Sequence, residues 1–232
     1  MFINGFDILW DEIDDYVADI QSIRSIDQLT FSKPVTFFCG ENGSGKSTLL
    51  EALAIKNGLN PEGGTRNYNF STYDSYSDLH NHMRLWRSRK PDWMYFLRAE
   101  SFYNVATKEM EYSGVFSERY HDQSHGQSFF SVLMKQTNKN GLYLLDEPEA
   151  ALSCQNQLAL LYLIQSCVKQ NCQFIIATHS PILLGFPGAQ ILSFDEGKVE
   201  EVDYKSTSSY QTMKLFLDRY DYFVKDIKEN DN

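Results

Sequence analysis

The chain has 232 residues, 42% of them hydrophobic and 22% charged, and 21 Lys and Arg against 31 Asp and Glu leave a net charge of −10. That balance suits one globular domain over residues 1–232 and excludes wholesale disorder, while the acidic surplus argues against a general electrostatic grip on nucleic acid. The mean hydropathy is −0.41 and no apolar run approaches the roughly 18 residues of a membrane span, which excludes a transmembrane subunit.

In chain order, Met1 to Asp7 lack the basic and long apolar segments of a secretion signal, so a cytoplasmic location is expected. Strand-like pieces follow and end in Lys33-Pro-Val-Thr-Phe-Phe-Cys39. A glycine-rich loop comes next, then a helix from Lys46 to about Asn57 that Gly58 terminates. From roughly 61 to 122 the pattern weakens into Ser, Asn, Tyr and basic residues, read as a partly helical lobe inserted in the core. Within it Arg84, Arg87, Arg89 and Lys90 crowd Trp86, either as a solvated helix face or as a grip for nucleic acid or an acidic protein partner. Trp93 to Ala99 is strand-like, and Gly141 to Leu145 is a buried parallel strand. A helix is expected over 149–170, strands at 173–178 and 190–194, and an antiparallel return near 199–204. Residues 209–228 read as helical, with Met213, Phe216 and Tyr220 on the apolar side. Cys39, Cys154, Cys167 and Cys172 show no Cys-x-x-Cys spacing and read as buried reduced thiols.

The chemistry concentrates in Gly40-Glu-Asn42-Gly43-Ser44-Gly45-Lys46-Ser47-Thr48, which fits Gly-x-x-x-x-Gly-Lys-[Ser/Thr] between a strand and a helix. Glycines let successive N–H groups curl around phosphate, Lys46 reaches the β- and γ-phosphates, and the Ser47 hydroxyl suits Mg²⁺. Asp146 ends an apolar strand, where it would hold Mg²⁺, and Glu147 follows as a general base. His179 closes the next strand, at Ala-Thr-His-Ser-Pro, in a place to hydrogen-bond a γ-phosphate.

This set resembles the ATP-binding-cassette (ABC) class of P-loop ATPases. The resemblance runs from Val35 to Ser193 and includes Gln123-Ser124-His125-Gly126-Gln127, a signature-like loop 19 residues before Asp146, with His179 another 33 residues on. Within the class, the chain looks like the small stand-alone bacterial ATPases labelled "AAA family", relatives of the chromosome-maintenance and DNA-repair branch. The resemblance implies an α/β fold with a mostly parallel core sheet flanked by helices, plus an N-terminal antiparallel β portion. It also implies ATP and Mg²⁺ as ligands and a homodimer in which Ser124, Gly126 and Gln127 of one copy face the ATP of the other. Departures are visible. No glutamine stands between Leu49 and Asp122, so Glu100 is either its substitute or a surface carboxylate. The signature's first glycine is His125, and Ser153 stands where the class usually has Asp. Phe6, Trp10 and Tyr16 are either adenine-stacking rings or core, and Arg66 is a possible phosphate contact. The rival function is a nucleotide-gated binding module with negligible turnover.

Overall fold

The computed structural model describes residues 1–10, 13, 15–65, 76–99, 133, 134, 137 and 140–229. Apolar runs too long for a half-exposed strand build the central sheet: β3 (Val35–Cys39), β5 (Trp93–Arg98), β6 (Gly141–Asp146), β7 (Gln173–Ala177) and β8 (Gln190–Ser193). With β9 (Glu200–Glu201) they lie in the order β5-β6-β7-β3-β8-β9, all parallel except β9, which pairs antiparallel with β8. A second, antiparallel sheet of β1 (Ile3–Ile8), β2 (Gln28–Thr30) and β4 (Met83–Arg87) has β1 in the middle.

Period-two alternation sends successive side chains to opposite faces of the central sheet, which creates two cores. On one face Phe38, Phe96, Leu144 and Ile175 meet the antiparallel sheet, α1 (Gln21–Arg24) and α2 (Lys46–Lys56). On the other, Phe37, Tyr143, Leu145 and Ile176 pack with Leu160 and Ile164 of a helix over Cys154–Val168. Two buried glutamines tie the layers. Gln173 of β7 accepts from the N–H groups of Phe2 (2.6 Å) and Ile3 (3.0 Å) and donates to the Ile3 carbonyl (2.7 Å). Gln190 of β8 accepts from Ser32 N–H at 3.0 Å and donates to the Thr30 carbonyl at 3.1 Å.

Several expectations are corrected. The described part of the 61–122 stretch carries the short helix Leu79–His82, then β4, which joins the antiparallel sheet, and β5, which joins the central one. The basic residues around Trp86 therefore lie on a strand and its following turn, not on a helix face. The cause is pairing: β1 supplies Asp7, which accepts from Trp86 Nε1 (2.8 Å) and Arg84 Nε (2.9 Å), and these hydrogen bonds, Trp86 first, lower its pKa. The helix read over 149–170 begins only at Cys154, because Pro148–Ala151 form a 3₁₀ turn and Ser153 caps the helix by accepting from Asn156 N–H. Cys154, in that first turn, is exposed, whereas the other three cysteines are buried, and no disulfide links any of them. Residues 209–228 are indeed helical but break at Arg219 into Ser208–Asp218 and Tyr220–Glu229, and Met213, Phe216, Leu217 and Tyr220 are exposed.

Candidate functional site

β3 runs into the glycine-rich loop, and the loop opens directly into α2. Gly45 sits at φ +91°, and a Cβ there would meet Ile23 Cγ1 at 2.7 Å and Ile20 Cγ2 at 2.9 Å, so only glycine fits the close approach. The loop is braced from outside. Asp195, after β8, accepts from Glu41 N–H at 2.9 Å and from the Ser193 hydroxyl at 3.1 Å, while the Ser22 hydroxyl donates to the Ser44 carbonyl. The Lys46 ammonium turns inside the curl and donates to the carbonyls of Gly40 and Glu41, both at 2.8 Å. Burial lowers its pKa, and the charges of Glu147, Asp146 and Asp195 oppose that shift. Asn42 and Gly43 form the turn at the loop's tip, and Thr48 lies in the first turn of α2.

Strand order brings the remaining groups in. Because β7 lies between β3 and β6, the segment carrying His179 ends between the loop and the acidic strand. Ser47 Oγ donates to Asp146 Oδ1 at 2.8 Å, across 99 residues of chain. Asp146 Oδ2 lies 3.4 Å from Arg98 Nε at the end of β5, and Arg98 Nη1 reaches Glu51 of α2 at 2.5 Å. Burial raises the Glu51 pKa, against the pull of Arg98. Among the described residues no group of three or more His, Cys, Asp or Glu converges as a metal cage. A hydroxyl beside one carboxylate is nevertheless the sparse oxygen set that suits Mg²⁺ carried in on phosphates.

Glu147 adopts a left-handed conformation (φ +48°, ψ +51°), uncommon without glycine and frequent where function requires a strained backbone. The conformation is secured by its N–H, which donates to the Ala177 carbonyl at 2.9 Å. Its Oε1 stands 3.6 Å from His179 Nε2, beyond hydrogen-bond length. A cleft of about 460 Å³ opens beside these groups, lined by Gly40, Glu41, His179, Asp195, Thr207 and Phe216 among others.

The structure thus brings together Gly40 to Thr48, Asp146, Glu147 and His179. Ser124, Gly126, Gln127, Glu100 and Arg66 lie outside the described residues. Phe6 is core, and Trp10 is occupied by the Ile26 carbonyl and by Arg24, whose guanidinium lies 4.6 Å from its ring. Tyr16 is exposed and touches Thr48 and Ser77. Sequence reasoning missed Arg98, Asp195, Ser22 and the use of Glu149. Only Glu149 had a local signal, its place in Asp-Glu-Pro-Glu.

Two family profiles match the chain, "AAA domain" over residues 18–80 and "AAA ATPase domain" over residues 125–184. Together with the sheet order and the motif order they support a likeness to P-loop ATPase domains of the ABC type. The chain is 28% identical over 183 residues, 68% of each sequence, to an uncharacterized ABC transporter ATP-binding protein of Haemophilus influenzae. Solved structures similar to it include a nucleotide-free ATP-binding cassette from an ABC transporter (16% identity, 87% of this chain and 91% of that one, TM-score 0.45). The SMC head domain from Thermotoga maritima is another (14% identity, 87% and 98%, TM-score 0.45).

Proposed function

We propose that the chain binds ATP with Mg²⁺ at the glycine-rich loop, hydrolyses it, and closes as a homodimer over two nucleotides to drive or gate a partner process in the cytoplasm. The observation that carries this reading is the convergence of Ser47, Asp146, Glu147 and His179 on a loop whose lysine is already turned inward. Phosphate oxygens would take over the Lys46 donors that now serve the Gly40 and Glu41 carbonyls. Ser47 and Asp146 would hold Mg²⁺, which when bound neutralises charge across the β- and γ-oxygens. Glu147 takes the proton of the attacking water, and His179 hydrogen-bonds the γ-phosphate. Ser124, Gly126 and Gln127 would complete the site of the opposite copy. No helix among the described residues is long and apolar enough to cross a membrane.

Glu147→Gln tests the reading. The amide keeps the size of the carboxylate and loses its basicity, so ATP should bind while steady-state hydrolysis falls by about 10²- to 10⁴-fold. Light scattering with MgATP should then find a trapped dimer. Unchanged turnover, or a monomer at saturating MgATP, would defeat the sandwich mechanism. A wild type with no turnover beyond one burst would favour the gated-module rival.

A further inference from the structure

Glu149 takes no part in the chemistry proposed above, yet it holds the backbone of the residue that senses the γ-phosphate. Its Oε1 accepts from the His179 N–H at 2.6 Å, joining two turns 30 residues apart. Its Oε2 is buried and has no hydrogen-bond partner among the described residues. β7 ends at Ala177 and the Thr178 N–H still reaches the Phe38 carbonyl at 3.0 Å, so His179 is the first residue past the sheet's own hydrogen bonding. Of the N–H groups that follow, that of Ser180 is served by the Thr178 hydroxyl, and those of Ile182 and Leu183 by the Ser180 hydroxyl. His179 is served by Glu149 instead. The 3₁₀ turn that carries Glu149 is preceded by Glu147 as its N-cap, which has a left-handed backbone and an Oε1 3.6 Å from His179 Nε2. One short turn therefore lies against both Glu147 and the His179 backbone, the latter held by the Glu149 carboxylate.

We infer that Glu149 is a positioning residue that gives the site its preference for a nucleoside triphosphate over a diphosphate, acting through His179. The inference rests on the nucleotide reading of the loop. His179 would touch the γ-phosphate, which a diphosphate lacks, whereas Lys46 and the loop N–H groups serve phosphates common to both. Releasing the His179 backbone should therefore weaken triphosphate binding selectively. A carboxylate and an amide oxygen both accept the N–H, so Glu149→Gln preserves the contact and Glu149→Ala removes it.

The test is calorimetric titration of ADP and of a non-hydrolysable ATP analogue, at equal Mg²⁺, into wild type, E149A, E149Q and H179A. The preference of wild type for the triphosphate should fall about tenfold in E149A and in H179A, the effect of losing one hydrogen bond to a charged group. E149Q should keep it within about twofold, and E149A/H179A should fall no further than H179A. Thermal melting accompanies each titration. If E149A does not fold, E149D, one methylene short of the His179 N–H, replaces it and should also lose the preference. An alanine or aspartate variant with the wild-type ratio overturns this inference alone. So does a tenfold fall in E149A that H179A does not share, because the effect would then bypass His179. A wild type that binds neither nucleotide overturns the loop reading as well.

Discussion

Lys46 is a cation buried in an acidic corner, and its donors end on backbone carbonyls that other oxygens can replace. In the proposed reading its charge serves phosphate and contributes little to packing. Lys46→Ala should therefore abolish binding of a fluorescent ATP analogue, a loss on the order of 100-fold or more, while circular dichroism stays native. Undiminished affinity would show that the loop is not the site. Cysteine chemistry gives an independent check on the local geometry. Burial, with the Asp195 charge behind it, pushes the Cys39 thiol up to about 11, and burial does the same for Cys167. At pH 8 only about one such thiol in a thousand is ionised, so these sites are inert to alkylation. Cys154 is exposed in the first turn of its helix. Native protein at pH 8 should take up one label rapidly, Cys154→Ser should remove that phase, and the remaining thiols should react only after denaturation or at much higher pH. A fast second label on Cys39 would contradict the packing beneath the loop.

At the scale of elements, the antiparallel sheet is held to the core by apolar contact and by the Gln173 side chain. Three hydrogen bonds to Phe2 and Ile3 converge on one fully buried amide. Gln173→Leu keeps the volume but strands two N–H groups and a carbonyl in an apolar layer. The expected cost is about 2–4 kcal/mol, read as a lower urea midpoint with an unchanged slope. A change below about 0.5 kcal/mol would mean that these groups find other partners. The short turn from Glu147 to Ala151 is a second element whose geometry outweighs its length. It converts the end of β6 into a platform that faces the end of β7, and the Glu147 N–H bond to Ala177 binds the two strands at the level of the chemistry.

At the scale of the molecule, the net charge of −10 is distributed unevenly. Four of the 21 Lys and Arg, namely Arg84, Arg87, Arg89 and Lys90, gather at the β4 edge, where Arg84 pairs with Asp7, Arg87 donates to the Lys56 carbonyl, and Arg89 lies over the Phe2 ring at 4.5 Å. Much of that positive charge serves the antiparallel sheet, so the cluster offers less to an outside polyanion than its composition suggests. The larger consequence of the fold is that the acidic strand, the His179 turn and the glycine-rich loop end on one edge. In the proposed dimer this edge faces the signature residues of the second copy. Adding Ser124→Arg to Glu147→Gln should block the MgATP dimer in light scattering and leave the binding of ATP to each monomer within a few-fold. A dimer that survives the added charge would remove Ser124 from the interface.

Features of this protein that depend on neighbouring residues were legible in the chain. The loop from Gly40 to Thr48, the buried runs at 35–39, 141–146 and 173–177, and the stop at Gly58 all follow from local conformational demands. Those demands are expressed within a few residues, so the phosphate-type loop and the acidic strand could be recognised before any packing was known. The hydrogen bond from His179 to Glu149 could not be recognised in that way, and neither could the Arg98 link between Glu51 and Asp146 or the Gln173 clamp. Each joins residues 30 or more positions apart, at a distance set by sheet order. The same limit explains the misread basic segment. Met83 to Arg87 has too few apolar positions to declare its period, and it becomes a strand because β1 presents a free edge and Asp7 to receive it. Hydrophobic pattern and turn chemistry select the elements, but long-range pairing selects which polar side chains meet, because those meetings exist only once the strands are in order.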